Sequence, residues 1–385
     1  MSITATSPGA DAGHIESAAA QAERLVPLLA ERAAEADEAD RFVAENYALL
    51  KEAGLVEAGV PRELGGGGAG IRDLAEMLRL LAHGCSSTAL AFSMHTHQVA
   101  VPAFRWRHQQ ATAVEPLLRR VAAERIILLS SGGSDWIGGS GTAEKVEGGY
   151  RVSGRKVFSS GSPAGDLLMT GAVLHGEEGD SVIHFAAPMK APEIRVLDTW
   201  RALGMRGTGS HEIAIEDLFI PEAGVSVKRR AGEWHPLFQI IATIAFPLIY
   251  AAYLGVAERA GELALAMAAR KPPSEDRLAL AGRMETSLRA ARLAHRWMVE
   301  AAERNAPSAE TVNDVMTGKA ILAEHAIRAA ELSMELGGGE SFLRSNGLER
   351  LFRDIQGARF HPLQSGPQAR YAGAMALGLP VSRIF

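Results

Sequence analysis

The sequence predicts an α+β protein whose helices and strands occupy separate stretches of the chain. Residues 15–125 are rich in Ala, Leu, Glu and Arg and repeat apolar positions at steps of three and four, as amphipathic helices do. Residues 126–232 hold short β-branched or alternating runs separated by Gly, Ser, Asp and Pro, which is typical of a β unit. The helical pattern returns over 233–385 and predicts a helical bundle.

Composition narrows the class of protein further. The chain has 385 residues, 47% of them apolar and 22% charged, as in ordinary soluble globular proteins. Cys85 is the only cysteine, which excludes an intrachain disulfide and favours a reducing, cytoplasmic compartment. The 40 basic and 45 acidic residues are well mixed and give a net charge of -5, so a nucleic-acid partner is not expected.

The first zone begins without the features of a secretory signal, because its opening residues hold neither early basic residues nor an apolar core. Gly54 predicts the end of a helix, and the glycine run at 65–68 predicts a turn, since four consecutive glycines cannot hold a helix. Further helices follow over 71–104.

The middle zone is expected to form an antiparallel β unit of about 100 residues, because its runs follow one another at short intervals. The last zone opens with an apolar stretch over 240–256 that Pro247 and Gly255 interrupt. We interpret it as a buried core helix rather than a membrane span, and two long helices of a bundle follow it.

Several phrases resemble the acyl-CoA dehydrogenase superfamily of flavoproteins, in family order and over nearly the whole chain. They are RALGMRGTGSHEIAIEDLFIPE (201–222), GYRVSGRKVFSSGSPAGDLLMTGAV (149–173), SSGGSDWIGG (130–139), ELGGGESFLRSNGLERLFRD (335–354), GVAERAGELA (255–264) and YAGAMALG (371–378). The resemblance implies an N-terminal helical domain, a middle β-barrel and a C-terminal four-helix bundle. It also implies a homotetramer that holds FAD or FMN in a cleft between the β domain and the bundle.

The resemblance assigns particular residues to the flavin site. Ser160 falls where the family places a hydroxyl at the redox nitrogen of the flavin, and Phe158 where an aromatic ring could cover the flavin. Ser130, Ser131 and Ser134 belong to a Gly-Ser loop that could cradle the flavin pyrimidine or a phosphate. An ordinary Ser-rich turn would explain the same residues. The Thr-Glu-Pro start of the family loop is missing from this sequence.

Gly337, Gly338 and Gly339 match family glycines that let the backbone approach the dinucleotide, often across a subunit interface. The alternative is a helix C-cap followed by a turn.

The glutamate that removes a proton from the substrate in ordinary family members is missing. Counting along the family pattern brings its two known locations to Pro362 and Ala245, and neither side chain can take a proton. His361 stands beside the first location, in a turn that resembles flavin-dependent monooxygenases of the same superfamily. Those enzymes take reduced flavin from a separate reductase and react it with oxygen.

The resemblance also implies a second histidine in the N-terminal helical domain, and His95 and His97 stand at about that position. Histidine suits proton transfer near neutrality because its ordinary pKa is about 6.5. We therefore predict His361, Ser160 and His95 as catalytic, although a role as buried core histidines is the simpler explanation for His95 and His97 on an apolar helix. A metal site is not expected, since the two are only two residues apart on a helix.

Three functions stay open on the sequence. The favoured one is a monooxygenase that acts on a small molecule with reduced FMN or FAD, for which a separate reductase is a candidate partner. The second is an FAD-containing acyl-CoA or acyl-carrier dehydrogenase with an unrecognised base, and the third is a flavin-binding paralogue without catalysis.

Overall fold

The N-terminal zone folds into helices, as predicted. The structure is a computed structural model and describes residues 16–132 and 137–381. Ser17 begins the first helix by accepting the Ala20 N–H, the usual role of a serine at an N-cap. The helix before Gly54 ends at Glu52, and Gly54 has a positive φ of 73°. The five helices are α1 (Ala18–Glu38), α2 (Ala44–Glu52), α3 (Ile71–Gly84), α4 (Ser86–Gln109) and α5 (Glu115–Glu124).

The middle zone forms one eight-stranded sheet with the order β6-β7-β3-β2-β4-β5-β8, in which β1 pairs with β4 off this path. The strands are β1 (Leu128–Ser130), β2 (Thr142–Val146), β3 (Gly149–Lys156), β4 (Leu167–Leu174), β5 (Ser181–Pro188), β6 (Ile194–Leu197), β7 (Glu212–Pro221) and β8 (Val225–Arg230).

The expectation of a wholly antiparallel unit is wrong, because β4 pairs with both β1 and β2 in parallel. β2 and β3 form an antiparallel hairpin, and β4 lies on the far side of β2. The connection from β3 to β4 must therefore pass the end of β2. This connection, residues 157–166, carries Phe158 and Ser160 to the edge of the sheet.

The last zone is helical, with α6 (Pro236–Ala269), α7 (Glu275–Glu303), α8 (Ala309–Gly337), α9 (Leu348–Ile355) and α10 (Ser365–Ala376). By length and composition α6 could cross a membrane, but 94% of its most apolar window is buried inside the protein. It packs against α3, α4, α7 and α8, so it is the central helix of the core. The predicted three-domain arrangement is thus confirmed.

Polar contacts join the zones to one another. Asp354 of α9 accepts the backbone N–H of Met205 at 2.5 Å, and Arg353 beside it pairs with Asp37 of α1 at 2.5 Å. Buried Glu258 of α6 pairs with Arg79 of α3 and Arg292 of α7. These contacts hold α9 and the Met205 loop in place at the boundary where the candidate site lies.

Candidate active site

A cleft of about 660 Å³ opens where the three zones meet. Such a volume is usual for a site that holds a cofactor or drug-sized molecule. The helical side of its lining is apolar and comes from α4 and α6, with Leu90, Met94, Ile241, Phe246 and Ile249. The sheet side is richer in hydroxyls, so the two walls differ in the chemistry they offer.

Among the lining residues that the structure describes, none is an aspartate or a glutamate. Ala245 and Pro362, the two positions where the resemblance would place a catalytic glutamate, both line the cleft. Histidines 97, 184 and 361 line it instead. The described cleft therefore offers imidazoles and hydroxyls for proton exchange, but no carboxylate.

Ser160 lies in the lining at the end of a chain of hydroxyls. Its Oγ is 2.8 Å from Ser210 Oγ, which is 2.7 Å from Thr208 Oγ1. Thr208 Oγ1 donates to the carbonyl oxygen of Met205 at 2.9 Å. All three hydroxyl side chains line the cleft, and Ser160 is almost fully buried.

The neighbouring loops bring other predicted cofactor residues to the same wall. Ser130, Ser131 and Phe158 line the cleft, and the Gly132 N–H donates to the Val157 carbonyl at 3.0 Å, which ties the two loops together. The ring of Phe158 is 61% exposed and meets the edge of the Trp200 ring at 6.1 Å. Ser134 lies outside the described residues.

His361 reaches the cleft from the turn after α9, and its Nε2 is 2.8 Å from the hydroxyl of Tyr253. Burial, with smaller contributions from the nearby Lys319 and His97, lowers the pKa of His361 to about 3. Burial also raises the pKa of Tyr253 well above its ordinary value. At neutral pH the pair is therefore a neutral imidazole and a protonated phenol.

Of the two candidate histidines on α4, His97 lines the cleft and His95 does not. His97 Nδ1 lies 3.1 Å from the Ser93 carbonyl, so it carries the proton and leaves Nε2 as an acceptor, to which Gln98 Nε2 lies 3.4 Å away. Burial lowers the pKa of His97 to about 4. It is thus a neutral imidazole in the cleft.

His95 has both ring nitrogens engaged in the protein interior. Its Nδ1 accepts the Leu128 N–H at 3.0 Å, and its Nε2 lies 2.9 Å from the Val56 carbonyl and so carries the proton. These bonds connect α4 to β1 and to the segment after α2. The geometry gives His95 a structural position and does not support the catalytic role predicted for it.

Lys319 was not singled out by sequence reasoning. Its ammonium is buried beneath the His361 turn, where Nζ donates to the Leu363 carbonyl at 2.5 Å and lies 5.3 Å from the Tyr250 ring. Burial lowers the pKa of Lys319 to about 8. Nothing in the helical sequence pattern around Lys319 indicates that its side chain faces the protein interior.

Gly337, Gly338 and Gly339 lie at the end of α8 and do not line the cleft of their own chain. Gly338, the residue after α8, has φ 70° and ψ -157°, a backbone conformation that essentially only glycine adopts. Two apolar side chains shortly after these glycines face solvent. Phe342 is 81% exposed, and Leu343 is exposed as well.

The cleft and the order of domains together define a three-domain oxidoreductase of the acyl-CoA dehydrogenase type. The models of the N-terminal, middle and C-terminal domains of acyl-CoA dehydrogenase match residues 16–119, 130–218 and 247–361. The chain belongs to the acyl-CoA dehydrogenase family.

Similar proteins span nearly the whole chain. Pigment production hydroxylase of Rhodococcus sp. is 28% identical over 93% of this chain and 95% of its own. A putative acyl-CoA dehydrogenase of Bacillus subtilis is 27% identical (88% and 91%). The oxygenase component of p-hydroxyphenylacetate 3-hydroxylase of Acinetobacter baumannii is also 27% identical (86% and 82%).

Among solved structures, KijD3 in complex with FMN and a dTDP-linked amino sugar superimposes with a TM-score of 0.84. It is 26% identical and covers 97% of this chain and 96% of its own. The chain is thus a flavin-type oxidoreductase by family, with hydroxylases and dehydrogenases among its relatives.

Proposed function

We propose that this protein is a monooxygenase that uses reduced FMN or FAD and molecular oxygen to oxidise a small molecule. The observation that carries the proposal is the carboxylate-free lining of the described cleft, with Ala245 and Pro362 at the positions of the family base. A dehydrogenase needs a group that removes a proton from carbon, and neither side chain can do so.

The residues present fit a flavin. Hydroxyls of Ser130, Ser131 and Ser160 and the exposed ring of Phe158 stand on one wall of a cleft large enough for an isoalloxazine ring. Reduced flavin supplies two electrons to oxygen, so that one oxygen atom enters the substrate and the other leaves as water. In this proposal Ser160 contacts the redox nitrogen of the flavin.

His361 and His97 supply the proton chemistry. Both imidazoles are neutral at pH 7, because burial holds their pKa values at about 3 and 4. Each neutral imidazole has one ring N–H to donate and one ring nitrogen to accept, so it can deliver a proton to a departing oxygen as it takes up another. The Tyr253 hydroxyl holds the His361 ring through Nε2. In this proposal His97 takes the catalytic role that was predicted for His95.

The proposal includes partners and a location. A separate reductase would deliver the reduced flavin, since one relative is described as an oxygenase component. A homotetramer would bring Gly337, Gly338 and Gly339 to the flavin of a neighbouring copy and cover the exposed Phe342 and Leu343. A cytoplasmic location agrees with the single, buried cysteine.

The experiment is purification followed by anaerobic titration with flavin. A colourless protein that binds reduced flavin, and that oxygenates a substrate when oxygen is admitted in a stopped-flow instrument, supports the monooxygenase. Tightly held yellow FAD that an acyl-CoA reduces would instead establish the dehydrogenase. A protein without affinity for either redox form would establish the non-catalytic paralogue.

A further inference from the structure

The hydroxyl chain that ends at Ser160 has a fixed direction. The Met205 carbonyl can only accept, so Thr208 spends its one proton on that bond. In the 2.7 Å contact between Thr208 and Ser210 the proton must then come from Ser210. In the 2.8 Å contact between Ser210 and Ser160 it must come from Ser160.

Ser160 is left with lone pairs alone on the side of the cleft. A hydroxyl has one proton to donate and two lone pairs, and the proton of Ser160 is committed to Ser210. Burial of Thr208, Ser210 and Ser160 keeps bulk water from offering alternative partners. The Met205 carbonyl therefore sets the donor-to-acceptor direction of all three hydrogen bonds, and Ser160 faces the cleft as an acceptor.

We propose that Ser210 and Thr208 are positioning residues that fix Ser160 as a hydrogen-bond acceptor, so that the cleft selects the reduced form of a flavin. The inference rests on the proposed function, because it takes Ser160 as the contact of the flavin redox nitrogen. That nitrogen carries an N–H in the reduced form and a lone pair in the oxidised form. An acceptor complements the first and repels the second.

Binding of oxidised flavin would need the hydrogen bond between Ser160 and Ser210 to reverse or break. Ser160 could donate to the flavin only if Ser210 donated to Ser160 or Ser160 lost its partner. Turning Ser210 in this way leaves the Thr208 oxygen without its donor in the interior. Thr208 keeps its bond to the Met205 carbonyl but loses the bond from Ser210, and losing a buried hydrogen bond is costly, so the preference is built into the three linked hydroxyls rather than into Ser160 alone.

The test measures dissociation constants for reduced and oxidised FMN under anaerobic conditions, in the full-length protein. We expect Ser210→Ala to lower the ratio of the oxidised to the reduced constant by about tenfold, the effect of one net hydrogen bond. Thr208→Val should act in the same direction, because Ser210 is then free to turn. It provides a second test if Ser210→Ala folds poorly.

Ser162→Ala is the matched control. Ser162 is a buried serine of the same loop, but its hydroxyl donates to the Gly209 carbonyl at 2.8 Å and lies outside the chain. The ratio should stay at the wild-type value in this variant.

An unchanged ratio in both Ser210→Ala and Thr208→Val would overturn the inference, as would tighter binding of oxidised than of reduced FMN by the wild type. A wild-type protein that binds neither form would instead overturn the proposed function, so the two failures can be told apart.

Discussion

His95 and His97 differ by two positions on one buried helix, and the structure gives them different roles that a stability measurement can separate. His95→Leu removes the partner of the buried Leu128 N–H and of the buried Val56 carbonyl. A buried backbone group left without its partner costs about 1–3 kcal/mol. Two such groups should lower the free energy of unfolding by about 2–6 kcal/mol.

His97→Leu is the matched comparison. Its Nδ1 contacts the Ser93 carbonyl, one turn earlier on the same helix. That oxygen also accepts a backbone N–H in the hydrogen-bond pattern of the helix. Removing the imidazole therefore leaves no backbone group without a partner. The expected loss is below about 1 kcal/mol. Urea denaturation at pH 7.5 measures both variants, and equal losses would refute the structural assignment of His95.

The same pair of proteins gives a pH test. Burial lowers the pKa of His95 to about 4, against about 6.5 in the unfolded chain. As the pH falls below 6.5 the unfolded state takes up a proton that the native state does not, so native stability is lost down to about pH 4. The stability advantage of wild type over His95→Leu should shrink by about 1.4 kcal/mol per pH unit in that window. Parallel stability curves for the two proteins would contradict this.

Three further changes test the turn and its supports. His361→Ala should fold normally and lose at least about 100-fold in turnover. The control variant His175→Ala, at an exposed histidine, should keep wild-type turnover. Wild-type turnover in His361→Ala would remove His361 from the mechanism. Lys319→Met removes a nearby cation and should raise the pKa of His361. NMR titration of labelled histidine measures this, and an unmoved titration would argue against the electrostatic contact. Asp354→Asn can still accept the Met205 N–H and should be more stable than Asp354→Ala by about 1–3 kcal/mol; equal melting of the two would show that this bond contributes nothing.

The sequence was sufficient for the order of the zones because local periodicity decides helix and strand. It was not sufficient for the parallel pairing of β4 with β1 and β2, since that pairing joins distant segments. That pairing matters to the site, because it sends the segment with Ser160 across the end of β2.

Which α4 histidine faces the cleft was also beyond the sequence. Residues 86–97 are buried on every side, so the helix has no polar face from which orientation could be deduced. His95 packs between domains and His97 faces the cleft, and only the tertiary contacts separate them. Lys319 and Asp354 were missed for the same reason, because each acts on a backbone group distant in the sequence.

The imidazoles of this cleft are poor substitutes for a dehydrogenase glutamate, and this separates the two leading functions. A general base works best when its pKa lies near the operating pH. Burial holds the pKa values of His361 and His97 at about 3 and 4, well below neutrality, and the buried Lys319 adds to the effect on His361. A group this reluctant to take up a proton is weak at abstracting one from carbon, and at neutral pH it acts through the hydrogen bonds of its neutral ring. Together with a serine held as an acceptor, it favours chemistry that starts from reduced flavin.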